Sequence, residues 1–351
     1  MKVLHLPTNI ASQMRVTVLA LREMGIEARG LSGLSRMQYQ NAGGLEVLPR
    51  GAPGTSWLKR KGYALRRAAM IVKAIAWADV VHWHYAPALP LDVDLRMAAM
   101  RGSKRFVEFW GSDIRDPETE MADNPWYARV WDSGEYEYKH GESRAHSIDT
   151  QRRFAKRGVK LLIPSPGMAP YVKPEFFPQY QWTAPRLFLN EYEPHLPSAA
   201  AARPLVVHAP TAPGGKGTKY LLAAMEKLRT EIDFDFQLIH GMPHHEAREL
   251  ISRCDLFVDQ LIIGEYGLAS VEAMALGKPV ICYIKPSVLS SLPEHFPVIN
   301  ASPDTVEEVL REWLRDGTRR RETGERSRAW VEERHDARRV VQRIAEYYQA
   351  A

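Results

Sequence analysis

Short apolar runs alternate with amphipathic helical patterns along most of this chain, and that rhythm limits the folds open to it more than any other feature. Lys2–Leu6 reads as a first strand, Pro7–Ser12 as a turn, and a helix from about Ser12 to Met24 ends at Gly25. Asp79–Trp83 and Arg105–Trp110 read as further strands. After residue 204 the rhythm resumes. Leu205–His208, Phe234–His240, Asp255–Asp259 and Val280–Tyr283 read as strands, and Gly217–Leu228, His244–Ser252 and Leu268–Leu276 as the helices between them. Strands separated by helices of this length predict α/β architecture with parallel sheets, whose ligands gather at the carboxyl ends of the strands.

A chain of 351 residues is too long for one ordinary core. Between Pro164 and Pro204 nine prolines and the small-residue run Ser198–Ala202 interrupt the pattern, which marks a boundary. The expected division is an N-terminal domain over 1–185, a second domain over 186–330, and a terminal helix over 331–351. With 45% hydrophobic and 25% charged residues the chain is globular. No apolar run is long enough to span a membrane, no signal peptide is visible, and Cys254 and Cys282 read as buried reduced thiols, so a cytoplasmic protein is expected. The net charge of +5 concentrates in part between Arg50 and Lys73. Beside Trp57 and Tyr63, the cations of Lys59–Lys73 suit a peripheral contact with an anionic membrane; a solvated helix face is the plainer reading. Basic and aromatic residues do not interleave as nucleic-acid binding would require.

Two segments carry the chemistry. Gly264-Glu265-Tyr266-Gly267 opens the helix from Leu268, which Gly277 and Pro279 stop. Such a junction turns unpaired backbone N–H groups and the positive end of a helix dipole toward an anion. Glu272 lies about one turn further in, where it suits hydroxyls such as those of a ribose. The second segment, His208–Thr218, joins a strand to a helix: its glycines, Gly215 among them, admit a ligand close to the backbone, and Lys216 offers a point charge. The spacing is not that of a P-loop.

Taken together, Lys216-Gly217-Thr218, Asp255–Gln260 and the stretch from Glu265 through Glu272 to Val280 resemble the donor domain of retaining glycosyltransferases with the GT-B fold, most nearly glycosyltransferase family 4. The resemblance covers about residues 204–284 and extends more loosely to Pro7–Ser12, His82–His84 and Trp110–Asp113. It implies two Rossmann-like domains facing a cleft, a nucleoside-diphosphate sugar as donor, no obligatory metal or other cofactor, and a C-terminal helix that crosses back to the first domain. Carried over, Glu272 matches the ribose-binding carboxylate. Gly267, Leu268 and Ala269 match the amides facing the diphosphate, and Lys216 the lysine that neutralises it. Thr211, Gly264 and Tyr266 complete the donor set. Asn9, Ala11, His82, Trp110 and Gly111 fall on the cleft side of the first domain, and His84 and Asp113 join Lys216, Glu265 and Glu272 as candidate catalytic groups.

The chain departs from that pattern at three places. Gly264 stands where the family commonly has a first glutamate, leaving Glu265 one residue late. Thr211, Ala212 and Pro213 fill the place of a frequent arginine, and Trp110 that of a frequent histidine. The Asp-x-Asp matches at Asp92–Asp94 and Asp233–Asp235 read as chance. The expected activity is transfer to a glycan, lipid-linked or small-molecule acceptor, as in polysaccharide biosynthesis. A sugar-nucleotide epimerase on the same fold and a non-catalytic nucleotide-binding partner remain open.

Overall fold

The structure, a computed structural model, describes residues 1–33, 43–52 and 54–351. Two compact units form: Met1–Arg115 with Glu142–Arg186 and Ala337–Ala351, and Asp116–Gly141 with Leu187–Asp336. The segment Asp116–Gly141, expected inside the N-terminal domain, therefore belongs to the second unit. Asn124 Nδ2 donates to the Ile262 carbonyl (2.7 Å), and the buried Lys285 ammonium pairs with Glu120 at 2.5 Å. Both residues of that ion pair are at most 2% exposed, so each charge needs the other to remain buried. The terminal crossing also starts later than expected: Gly317–Arg334 stays with the second unit, and only Ala337–Ala350 returns to the first.

The first unit holds β1 (Lys2–Pro7), β2 (Glu27–Gly33), β3 (Glu46–Leu48), β4 (Val80–His84), β5 (Lys104–Glu108), β6 (Lys160–Ile163) and β7 (Tyr180–Trp182). They form one parallel sheet in the order β3-β2-β1-β4-β5-β6-β7. Side chains alternate across a strand. Leu4, Leu6, Val81, Trp83 and Val107 build an apolar core with Ile71, Ile75, Leu95 and Phe154. The opposite alternation, His5, His82, His84, Phe106 and Glu108, lies beside the helices Gln13–Glu23 and Ala337–Ala350 and is largely polar. There Arg186 meets Glu108 through two parallel bonds of 2.7 and 2.8 Å, and Thr17 and Thr183 bond the same pair. A fully buried pair keeps its charges only with such geometry.

The second unit holds β8 (Leu205–His208), β9 (Asp235–Leu238), β10 (Leu256–Val258), β11 (Val280–Cys282) and β12 (Ile299–Asn300), all parallel, in the order β12-β11-β10-β8-β9. The short runs Leu205–His208, Leu256–Val258 and Val280–Cys282 are apolar throughout apart from their ends, as strands covered on both faces require. Apolar clusters line both sides, one with Val207, Phe257 and Trp330 and the other with Val206, Leu256 and Trp313. The loops after β8 and β10 leave the sheet at the strands' carboxyl ends, where ligands gather in sheets of this kind.

Candidate active site

The loop after β8 runs into the short helix Pro213–Lys216. The Lys216 ammonium forms an ion pair with Asp259, one residue beyond β10, and Asp259 also accepts a hydrogen bond from Ser270 Oγ at 2.6 Å. Asp259 therefore ties the glycine segment after β8 to the first turn of the helix Leu268–Ala275. Burial opposes both charges, but each outweighs it for the other: the lysine is held above its ordinary value and the carboxylate below its own. Behind them, burial drives His208 down to about 4, leaving it neutral at pH 7. Its Nδ1 bonds the Val258 carbonyl (2.8 Å), so Nε2 is left to accept from Thr218 Oγ1 (2.9 Å).

Gly267 caps the helix Leu268–Ala275, and the amides of Leu268, Ala269 and Ser270 belong to its first turn, where no helical carbonyl precedes them. One turn in, Glu272 Oε1 accepts from Tyr192 Oη and bonds His244 Nε2, each at 2.9 Å. The hydrogen bond to Glu272 raises the His244 pKa, and burial followed by Glu272's charge keeps the Tyr192 phenol protonated. Upstream, Gly264 has φ +82°, and a Cβ there would come within 3.0 Å of Asn124 Nδ2 and of Lys285 Cβ and Cδ. The left-handed backbone there favours glycine, and a side chain would need its neighbours to give by a few tenths of an ångström. Glu265 is half-buried, and its carbonyl accepts from Gln260 Nε2 (2.7 Å). Tyr266 packs its ring on Phe296 and edge-on to His335.

A carboxylate already occupies the glycine segment. Glu137 accepts from the Gly214 and Gly215 amides at 2.7 and 2.9 Å, and a Cβ on Gly214 would sit 2.0 Å from the Glu135 carbonyl. Gly215 is buried under Tyr136, and Thr211 is exposed.

The first-unit candidates are arranged differently. His82 and His84 do share one side of β4, with Trp83 on the other, but they are 0% and 1% exposed. In this arrangement neither ring reaches a surface where a substrate would touch it. Burial pushes His84 down to about 4, so it is neutral at pH 7. Asp113 is fully buried, and burial pushes it up to about 7. Its two oxygens accept from the amides of Trp110, Gly111 and Ile114 at 2.8–3.1 Å, so the group organises its own turn. The following helix is capped instead by Asp116. Gly111 is buried beside Arg115, which pairs with Glu142 (2.6 Å). Trp110 lies under the Arg186 guanidinium, and its Nε1 is buried without a hydrogen-bond partner among the described residues. Asn9 is buried and bonds Ser32 and the Arg15 amide, while Ala11 takes a left-handed backbone at φ +42°. The Asp-x-Asp carboxylates are engaged too: Asp92 with Arg153, Asp94 with Trp83 Nε1 and two amides, and Asp233 and Asp235 with Arg203.

The second-unit constellation of glycine segment, lysine, helix start and inner carboxylate falls inside one recognised family segment. Residues 214–330 match the family model "Glycosyl transferases group 1". The matched residues include Lys216, Gly264–Ala269 and Glu272. Across its whole length the chain is similar to sucrose-phosphate synthase from Thermosynechococcus elongatus (13% identity, TM-score 0.67, covering 100% of this chain and 99% of that one). It is likewise similar to WaaG, a glycosyltransferase of lipopolysaccharide biosynthesis (13%, TM-score 0.59, 100% of each chain), and to Anabaena HepE in complex with UDP-glucose (15%, TM-score 0.61, 100% of each chain). These neighbours share the GT-B fold, and this chain's two Rossmann-like units have it as well. The family segment and the fold together support glycosyl transfer as the class of activity. No curated protein sequence matches the chain.

Within the matched segment and the residues packed on it, sequence reasoning held Asp259 only as part of the stretch Asp255–Gln260 and overlooked its pairing with Lys216, and it missed Tyr192, His244 and Glu137 as partners of the site. Asp259 was legible as a strand-end aspartate. The other three lie 80, 28 and 77 residues from the groups they touch, and no spacing rule links them.

Proposed function

We propose that this chain is a retaining glycosyltransferase that moves a sugar from a nucleoside-diphosphate sugar to a glycan, lipid-linked or small-molecule acceptor. The observation that carries the reading is the Lys216–Asp259–Ser270 link, which sets an ammonium against the first turn of the helix Leu268–Ala275 with Glu272 one turn inside. The donor diphosphate is assigned to Lys216 and the amides of Leu268 and Ala269, and the ribose hydroxyls to Glu272. As the glycosidic bond breaks, negative charge grows on the leaving diphosphate. A cation and oriented amides already aimed there stabilise that state more than the bound donor. They also supply the positive charge for which other transferases use a metal, so no catalytic cation is assigned. The acceptor falls to the first unit, and no covalent nucleophile is invoked.

HepE has been captured with UDP-glucose, which makes UDP-sugars the first donors to try. A thermal-shift panel of UDP-, GDP-, ADP- and dTDP-sugars ranks them, since a ligand bound only by the folded state raises stability by mass action. NMR of the product then reads the anomeric configuration. An inverted product overturns retention; sugar isomerisation without acceptor favours an epimerase; tight nucleotide binding with no turnover over a broad acceptor panel favours a non-catalytic partner. Chelator is expected to leave turnover intact, and complete loss restored by Mn²⁺ would overturn the metal-independent reading.

No helix among the described residues is long and apolar enough to cross a membrane. The helix Trp57–Trp77 nonetheless exposes Trp57, Leu58 and Leu65 beside Lys59, Arg60, Lys61 and Arg66. That composition supports peripheral attachment to an anionic leaflet on the cytoplasmic side. Flotation with anionic but not zwitterionic vesicles is the expected result, and equal flotation with both would remove the electrostatic argument.

A further inference from the structure

Three histidines from two strands converge in the polar layer of the first unit. His5 comes from β1, and His82 and His84 from β4; the register sets His5 directly beside His82. One ligand nitrogen from each can be chosen so that all three lie within 4.8 Å of one another. His5 Nδ1 and His84 Nε2 are 2.9 Å apart. A tetrahedral ion with Zn–N bonds of about 2.0–2.1 Å would separate its nitrogens by roughly 3.3–3.4 Å. In this structure the 2.9 Å contact is a hydrogen bond between the two imidazoles, and an ion would replace it and draw the three nitrogens to this spacing.

Two further observations point to a ligand. All three rings are at most 1% exposed, yet His82 Nε2 has no hydrogen-bond partner among the described residues. Buried polar atoms left unpaired call for an unseen water or ion. The outer partners are also those of a metal centre. Tyr348 Oη bonds His82 Nδ1 at 2.6 Å, which turns Nε2 inward, with Glu108 Oε2 4.0 Å from it. Glu108 Oε2 lies 3.6 Å from His84 Nδ1, behind the nitrogen that faces His5, and is itself fixed by Arg186. Metal-bound histidines characteristically turn their second nitrogen to a carboxylate or another oxygen, which sets tautomer and orientation.

We propose that His5, His82 and His84 bind one late first-row divalent cation of the Zn²⁺ type, with Tyr348 and Glu108 as positioning residues. Neutral imidazoles suit such an ion. The site lies in the first unit and is separate from the donor assignment, and its role is to lock β1, β4 and the terminal helix together.

The test uses the untagged full-length protein, expressed with supplementary Zn²⁺ and analysed by native mass spectrometry and elemental analysis. One zinc per chain is expected in the wild type and in His244→Gln, and none in His82→Gln. Cobalt-loaded wild type should show the visible absorption of four-coordinate Co²⁺. Tyr348→Phe keeps all three imidazoles and should weaken binding by about 10–100-fold. If the wild type holds no stoichiometric ion after folding with Zn²⁺ or Co²⁺, or if His82→Gln retains the same content, the proposal fails. If His82→Gln does not fold, the cobalt spectrum of the wild type and the Tyr348→Phe affinity decide the question.

Discussion

His244 Nε2 lies 2.9 Å from Glu272 Oε1, so the carboxylate assigned to the donor ribose has a titratable partner. Hydrogen bonding to Glu272 raises the histidine's pKa above 6.5. For a group with a raised folded pKa the stabilisation is complete below the unfolded value and is lost as pH rises through the folded one. Below that window the imidazolium therefore holds Glu272, and donor hydroxyls must compete with it. Donor KM is expected to fall as pH rises past the raised value, and His244→Gln should flatten that dependence. An unchanged profile in the variant would remove His244 from the donor site.

The Glu137 carboxylate sits on the Gly214 and Gly215 amides, in a segment where an incoming anion would also bind. Glu137→Ala is expected to tighten nucleoside-diphosphate binding about tenfold, or about 1.4 kcal/mol, measured by calorimetry. Weaker binding would mean that Glu137 holds the segment in its binding shape and does not compete for it.

Lys216→Ala and Glu272→Ala should each lower kcat/KM at least about tenfold, or about 1.4 kcal/mol of transition-state stabilisation. Their signatures differ. Loss of the ammonium should depress kcat, because the charge it faces develops during bond cleavage, whereas loss of Glu272 should chiefly raise donor KM. Wild-type kinetics in both folded variants would sink the donor-site assignment.

Gly264→Ala tests the fit of the glycine loop. A non-glycine residue at φ +82° costs about 1–2 kcal/mol, and the contacts with Asn124 and Lys285 at 3.0 Å add to it. Urea unfolding should register a loss of at least that size. Neutral stability would show that the loop can relax, and would reopen the question of why a glutamate is missing there.

Much of the second unit is legible in the sequence, because its signals are local. Leu205–His208 is a strand over the expected span, the helix Leu268–Ala275 begins where the glycines predict, and Lys216 and Glu272 stand out by spacing from those elements. Strands β2, β3 and β6 and the helices between Asp116 and Ala155 escaped notice: their runs are short or polar, and tertiary burial stabilises them more than any periodic pattern.

Trp110 shows where local reading stops. The sequence places a tryptophan before Gly111-Ser112-Asp113, but does not tell that its ring lies under Arg186, which is itself locked to Glu108. The same holds for His5, 77 residues before His82, and for Tyr348, 266 residues after it. The sequence alone determined the alternation of strands and helices, the glycine-bounded helix start and the charged groups beside it, because those depend on neighbours within a few residues. Only the tertiary structure decided which carboxylate holds Lys216, why position 264 favours glycine, where Asp116–Gly141 belongs, and that three histidines meet. Parallel pairing joins strands far apart in sequence, and burial then forces their polar groups to find partners that no local pattern encodes.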